Sequence, residues 1–68
     1  MKMTSETIMK NGVEIEVKTI DIWSTVYSSC LQGHLTENGK IAGKTLFKDT
    51  LDRNYFLTDS RYGENFYL

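Results

Sequence analysis

Apolar and polar residues alternate strictly through Val13-Glu14-Ile15-Glu16-Val17-Lys18, with Val13, Ile15 and Val17 on one face and the charged residues on the other. A period of two marks a strand with one buried face. Thr7-Ile8-Met9-Lys10 precedes this run across Asn11-Gly12. Both residues of such a pair tolerate positive φ, so the pattern predicts a β-hairpin. The period then changes. Ile22, Trp23, Val26, Tyr27, Cys30 and Leu31 fall at helical spacing, which predicts a helix over 21–32. Asp21 or Thr19 would cap its start, and Gly33 stands where a left-handed residue would end it.

A second Asn-Gly pair, Asn38-Gly39, divides His34–Glu37 from Lys40–Phe47 and predicts a second hairpin. Asp49–Arg53 reads as a turn or a single helical turn, Asn54–Thr58 as a strand, and Phe66-Tyr67-Leu68 as a last short strand. The expected fold is α+β, one domain over residues 1–68. It is a small, mostly antiparallel sheet of two Asn-Gly hairpins plus C-terminal strands, with one helix packed on a face. Alternation along the last strand places Phe66 and Leu68 together, expected inside, and Tyr67 opposite, expected outside. Tyr55 and Phe56 divide between the faces in the same way, and the helical stripe makes Cys30 a buried spectator.

Length changes the picture more than composition does. A chain of 68 residues buries about 60% of its unfolded surface and is marginal alone. One cysteine makes no intrachain disulfide, and one cysteine with one histidine makes no closed zinc site. This leaves a second copy of the chain as a source of stability, and a homodimer is an expectation. The net charge is -1, with three basic and four acidic residues before residue 35 and five of each after it. A strongly electrostatic nucleic-acid binder would carry a basic excess. No apolar run is long enough to span a membrane, and the first residues lack the apolar core of a secretion signal. With a lone thiol, these features lead to the expectation of a reducing, cytoplasmic setting.

The candidate chemistry is thin. Gly39–Thr45, GKIAGKT, approaches a phosphate-binding loop but has three residues between Gly39 and Gly43 where four are needed. Lys40, Lys44 and Lys48 have even spacing and would share one strand face, either as a basic stripe for phosphate or simply solvated. Cys30 and His34 suggest a thiolate–imidazole pair, but Gly33 separates them at the helix end. Asp49, Asp52 and Asp59 suggest an acid–base or hard-cation set, although aspartates at turns ordinarily cap them. No catalytic residue, metal ligand or cofactor is expected.

The oddest surfaces are the uncharged helix face of Ser24, Thr25, Ser28 and Ser29, and the aromatics crowded into the last residues of the chain. In size and composition the chain resembles the compact orphan proteins with which phages and mobile elements inhibit host machinery. The reading is therefore a small non-catalytic protein-binding module, an inhibitor or accessory protein acting by stoichiometric binding. Its contacts would come from that helix face with Tyr55, Tyr62 and Tyr67. The alternative is a small nucleic-acid-binding sheet, with Tyr55, Phe56 and Tyr67 stacking bases and Lys40, Lys44 and Arg53 tracking phosphates.

Overall fold

A computed structural model describes residues 4–63 and 65–68. Five strands form one mixed sheet: β1 (Thr4–Lys10), β2 (Val13–Asp21), β3 (Thr36–Ile41), β4 (Lys44–Lys48) and β5 (Asn54–Thr58). Their spatial order is β1-β2-β5-β4-β3. β1–β2, β4–β5 and β3–β4 pair antiparallel, whereas β2 and β5 pair in parallel at the centre of the sheet. The protein is thus mostly β, with one short helical piece between β2 and β3.

β1 turns into β2 at Asn11-Gly12, with φ of 54° and 80°, the mirror-image turn whose twist suits a hairpin. Burial rises along β2, from an exposed Val13 to a fully buried Val17. β5 pairs only with Val17–Asp21, so the first half of β2 has a neighbour on one side alone.

The second Asn-Gly pair lies inside β3, not at a turn. The β3–β4 turn is Ala42-Gly43, with φ of 54° and 79°, and Gly39 supplies a bulge between Glu37 and Lys40. A turn at Asn38-Gly39 would set Leu46 opposite Leu31 and draw Leu31 out of its helical site, where it is buried. The fold therefore places a residue with a Cβ in a left-handed position. Ala42→Asn should stabilise the protein by about 1 kcal/mol, a rise in melting temperature of about 4–8 °C. A fall would contradict this turn.

The register also corrects the lysine stripe. Lys40 lies opposite Thr45 and Ile41 opposite Lys44. Directly paired residues share a face, so Lys40 points away from the face that holds Lys44 and Lys48.

The helix of 21–32 is much shorter than its periodicity suggested. β2 runs on through Asp21, and π-type winding covers Tyr27–Leu31. Its wide turn is closed by the Gln32 N–H donating to the Tyr27 carbonyl at 2.7 Å. Gly33, at φ 83°, serves a type II turn in which His34 N–H returns to the Leu31 carbonyl at 2.9 Å. Of the apolar stripe, Ile22, Tyr27 and Leu31 pack against the sheet. Trp23, Val26 and Cys30 form an outer column that stays exposed. Cys30 is therefore not the buried spectator expected.

The sheet separates two apolar clusters. Ile20, Leu31, Tyr55 and Leu57 form one, under the helical piece. Val17, Leu46 and Phe56 form the other. The second cluster is enclosed by curvature. Lys10 Nζ on edge strand β1 reaches the Asn38 carbonyl on edge strand β3 at 3.5 Å, whereas the edges of a flat five-stranded sheet would stand about 19 Å apart. With both faces covered, Tyr55 and Phe56 are both buried, and neither turns outward as alternation over a half-wet sheet would require.

Residues 66–68 complete this cluster with their faces reversed from expectation. β4 pairs with β5 only at Phe47–Tyr55 and Lys48–Asn54. Beyond that point the last residues enter alongside β5, with Thr58 bridging Tyr67. Tyr67 turns inward, edge-on to Phe56 at 6.0 Å between ring centres, while Phe66 and Leu68 are exposed. Lys44 Nζ lies 4.2 Å from the centre of the Tyr67 ring. The tyrosine hydroxyl and the lysine cover give this position a tolerable half-wet edge, which phenylalanine would use less well.

Candidate protein-interaction surface

β2 and β5 run in parallel and end together, so their exits lie side by side. Ile22 N–H extends the ladder to the Thr58 carbonyl at 2.9 Å, and both chains then turn. Two aspartates at this point control the turns. Asp21 accepts the Trp23 N–H at 2.7 Å through Oδ1 and the Ser60 N–H at 3.0 Å through Oδ2. Asp59 Oδ1 accepts the Trp23 indole N–H at 2.8 Å and the Arg61 N–H at 3.1 Å. Its carboxylate also lies 3.5 Å from Arg61 Nε. Both side chains are buried, at 5% and 4% exposure. Burial pushes the Asp59 carboxyl up, but the bonds from Trp23 and Arg61 outweigh it and hold the group below its ordinary 3.8.

These carboxylates fix an exposed stack. The Arg61 guanidinium lies 4.3 Å from the Trp23 ring centre and 5.6 Å from that of Tyr62. Tyr62 lies 5.1 Å from Phe66. Trp23, Tyr62 and Phe66 are 52%, 67% and 45% exposed. Large apolar side chains rarely gather at a surface unless something binds there. Trp, Tyr and Arg are also the residue types that anchor interfaces. Hydrogen bonds to the two aspartates hold the Trp23 indole and the Arg61 backbone in place before any partner arrives, so binding loses less side-chain freedom at Trp23.

Of the residues singled out from sequence, Tyr62 belongs to this surface. Tyr55 does not: it is buried, and its hydroxyl donates to Asp49 at 3.0 Å. Tyr67 is half-buried against Phe56. Ser24 caps the helical piece, its hydroxyl accepting the Tyr27 N–H at 3.2 Å. Ser28 bonds back to the Ser24 and Thr25 carbonyls at 3.2 and 3.4 Å. Thr25 and Ser29 are exposed without contact to the aromatic stack among the described bonds. Trp23, Arg61 and Phe66 were missed. Trp23 falls on the helical stripe by spacing alone, and the turn-forming signals that bear on it are Asp21 two residues before it and Asp59 across the exit.

The base-stacking alternative loses its platform, because Tyr55 and Phe56 are at 3% and 2% exposure. Its cations are occupied as well: Lys44 covers Tyr67, and Arg53 Nε pairs with Asp49 at 2.7 Å. Asp49 and Asp59 stand at opposite ends of β5 and each caps its own turn, so the aspartates do not converge. Cys30 and His34 are both exposed on either side of the Leu31–His34 turn. GKIAGKT spans a bulge, a strand end and a hairpin turn, with no helix after it among the described residues.

Among the described residues no helix is long and apolar enough to cross a membrane. No family model matches the chain, and the comparisons with curated proteins and with solved structures found no match.

Proposed function

We propose that this protein is a small non-catalytic module that binds another protein through the Trp23–Arg61–Tyr62–Phe66 surface. It acts by occupancy, as an inhibitor or accessory factor, without turnover. The observation that carries this reading is the exposed aromatic–arginine stack built on two buried aspartates. Asp59 takes the Nε side of Arg61, and the other guanidinium donors suit a partner carboxylate or backbone carbonyl at the rim of an apolar patch.

Tyr62→Ala and Arg61→Ala should leave the melting temperature nearly unchanged, because both side chains are mostly exposed. Each should weaken partner binding by about tenfold or more. Sedimentation at micromolar concentration distinguishes the kinds of partner. A wild-type dimer that Tyr62→Ala converts to a monomer makes the partner a second copy. A wild-type monomer makes it a different protein.

A further inference from the structure

Ile15 and Glu16 are neighbours in β2 and point to opposite faces of the sheet. Ile15 packs with the Val17, Leu46 and Phe56 cluster, and Glu16 is exposed on the other face. Both line one open groove of about 440 Å³, with Asn54 at the start of β5 and Asp52 and Arg53 from the β4–β5 turn. A groove that touches both faces of a strand runs along its edge. β5 first meets β2 at Val17↔Asn54, so Val13–Glu16 have no strand on that side among the described residues.

The main chain is open along this edge. The two-residue turn makes Lys10 and Val13 a hydrogen-bonded pair, and Ile8 and Ile15 pair in the same way. The main-chain groups of Glu14 and Glu16 therefore point away from β1, towards the groove. There Glu14 N–H and C=O and Glu16 N–H have no main-chain partner among the described residues. The two outer edges of the sheet are guarded in ways that this one is not. β3 is broken by its bulge at Gly39, and β1 turns Glu6 and Lys10 to the concave face, opposite Val17 and Val13. Bulges and inward charges hinder the addition of a strand.

We propose that an extended segment of a partner protein adds to β2 in this groove, with an apolar residue facing inward and a lysine or arginine facing outward. Such addition takes affinity from main-chain bonds and specificity from alternate side chains. On the concave side the segment covers Val13, which is 61% exposed, and the half-buried Ile15. On the outer side Glu14 and Glu16 are exposed, and neither forms an ion pair among the described residues. With Lys18 beside them they leave one negative charge uncompensated, and a cation directly opposite favours the pairing. Of the other cations at the groove, Lys48 is paired with Asp52 at 3.0 Å and Arg53 with Asp49 at 2.7 Å. Lys10 reaches the Asn38 carbonyl at 3.5 Å. The site lies at the opposite end of β2 and β5 from the aromatic surface and does not depend on that reading. Leu51 does not line it.

Titration of the full chain with the blocked peptide acetyl-VKVKV-amide, followed by amide chemical shifts and hydrogen exchange, tests this. Saturable shifts and exchange protection are expected at Glu14 and Glu16. Acetyl-VEVEV-amide should bind at least about tenfold more weakly, and acetyl-VKVKV-amide N-methylated at every residue should not bind. Glu16→Lys, at an exposed position, should weaken the lysine peptide and strengthen the glutamate peptide. Tyr62→Ala should bind the lysine peptide as the wild type does, which separates this site from the aromatic surface. No saturation at millimolar concentration would overturn the proposal. So would equal binding of the N-methylated peptide, protection confined to residues outside β2, or a Glu16→Lys variant with unchanged preference.

Discussion

A chain shortened to residue 65 is expected to be largely unfolded at room temperature. Residues 66–68 supply the pairing that β4 does not extend along β5. Asp59 N–H donates to the Phe66 carbonyl at 3.2 Å, Leu68 N–H to the Leu57 carbonyl at 2.9 Å, and Thr45 N–H to the Leu68 carbonyl at 3.3 Å. Each such bond contributes about 1 kcal/mol net. Burying the Tyr67 ring against Phe56 contributes about 1.5 kcal/mol more. The loss of about 4–5 kcal/mol equals what a core of this size supplies, about 3–5 kcal/mol. Tyr67→Ala keeps the backbone bonds and should cost about 2 kcal/mol. Phe66→Ala, at an exposed position, should cost less than about 1 kcal/mol. Urea unfolding of the three variants checks the order. A shortened chain that melts cooperatively near the wild-type temperature would contradict this account of the last residues.

Asp49→Ala is the second large effect, expected at about 3 kcal/mol. One buried carboxylate organises the whole β4–β5 turn. Its Oδ1 accepts the Leu51 and Arg53 N–H groups at 2.9 and 2.8 Å. Its Oδ2 accepts Arg53 Nε at 2.7 Å and the Tyr55 hydroxyl at 3.0 Å. Removing it leaves the Tyr55 hydroxyl buried without its acceptor and releases Asp52, which holds a φ of 67°. Burial pushes the Asp49 carboxyl up, but the bonds from Arg53, Tyr55 and Leu51 outweigh it and lower the group from 3.8 to about 2. A folded-state value below the unfolded one means that the carboxylate's contribution is full above 3.8 and is lost as pH falls towards about 2. Wild-type stability should decline through this window. Asp49→Asn should start lower at neutral pH and decline less. Parallel acid profiles of the two proteins would contradict the assignment.

Sequence revealed the strands whose signals are local. Val13–Lys18 alternates because β1 and β2 expose one face, and Asn54–Thr58 is a compact apolar run because it lies at the centre of the sheet. The parallel pairing of β2 with β5 was not legible, since nothing local in either strand records a neighbour 37 residues away in the register Val17↔Asn54. The second Asn-Gly pair misled for a related reason. Turn propensity favours Asn38-Gly39, but the burial of Leu31 and Leu46 favours Ala42-Gly43, and long-range packing overrides the local preference.

The helical stripe was two columns wide, and periodicity cannot say that only one column meets the sheet. That ambiguity concealed Trp23, Val26 and Cys30 as surface residues. The last residues were legible as apolar but not in phase. They join the sheet through a single bridge between Thr58 and Tyr67, and a loop returning through Gly63 at φ 120° sets which side chain turns inward. Tyr62 was recoverable from sequence as an aromatic among turn residues. Its association with Trp23 and Arg61 required the parallel exit of β2 and β5.

The central claim is that the stack of Trp23, Arg61, Tyr62 and Phe66 is the surface a protein partner covers. Photocrosslinking from a benzoylphenylalanine placed at position 62, in cells that naturally produce the protein, tests it most directly. The same probe at position 51, where Leu51 is 70% exposed on the opposite turn, serves as the control. The account predicts one discrete adduct from position 62, lost on Arg61→Ala, and none from position 51. Equal adducts from both positions, or an adduct from position 51 alone, would contradict it.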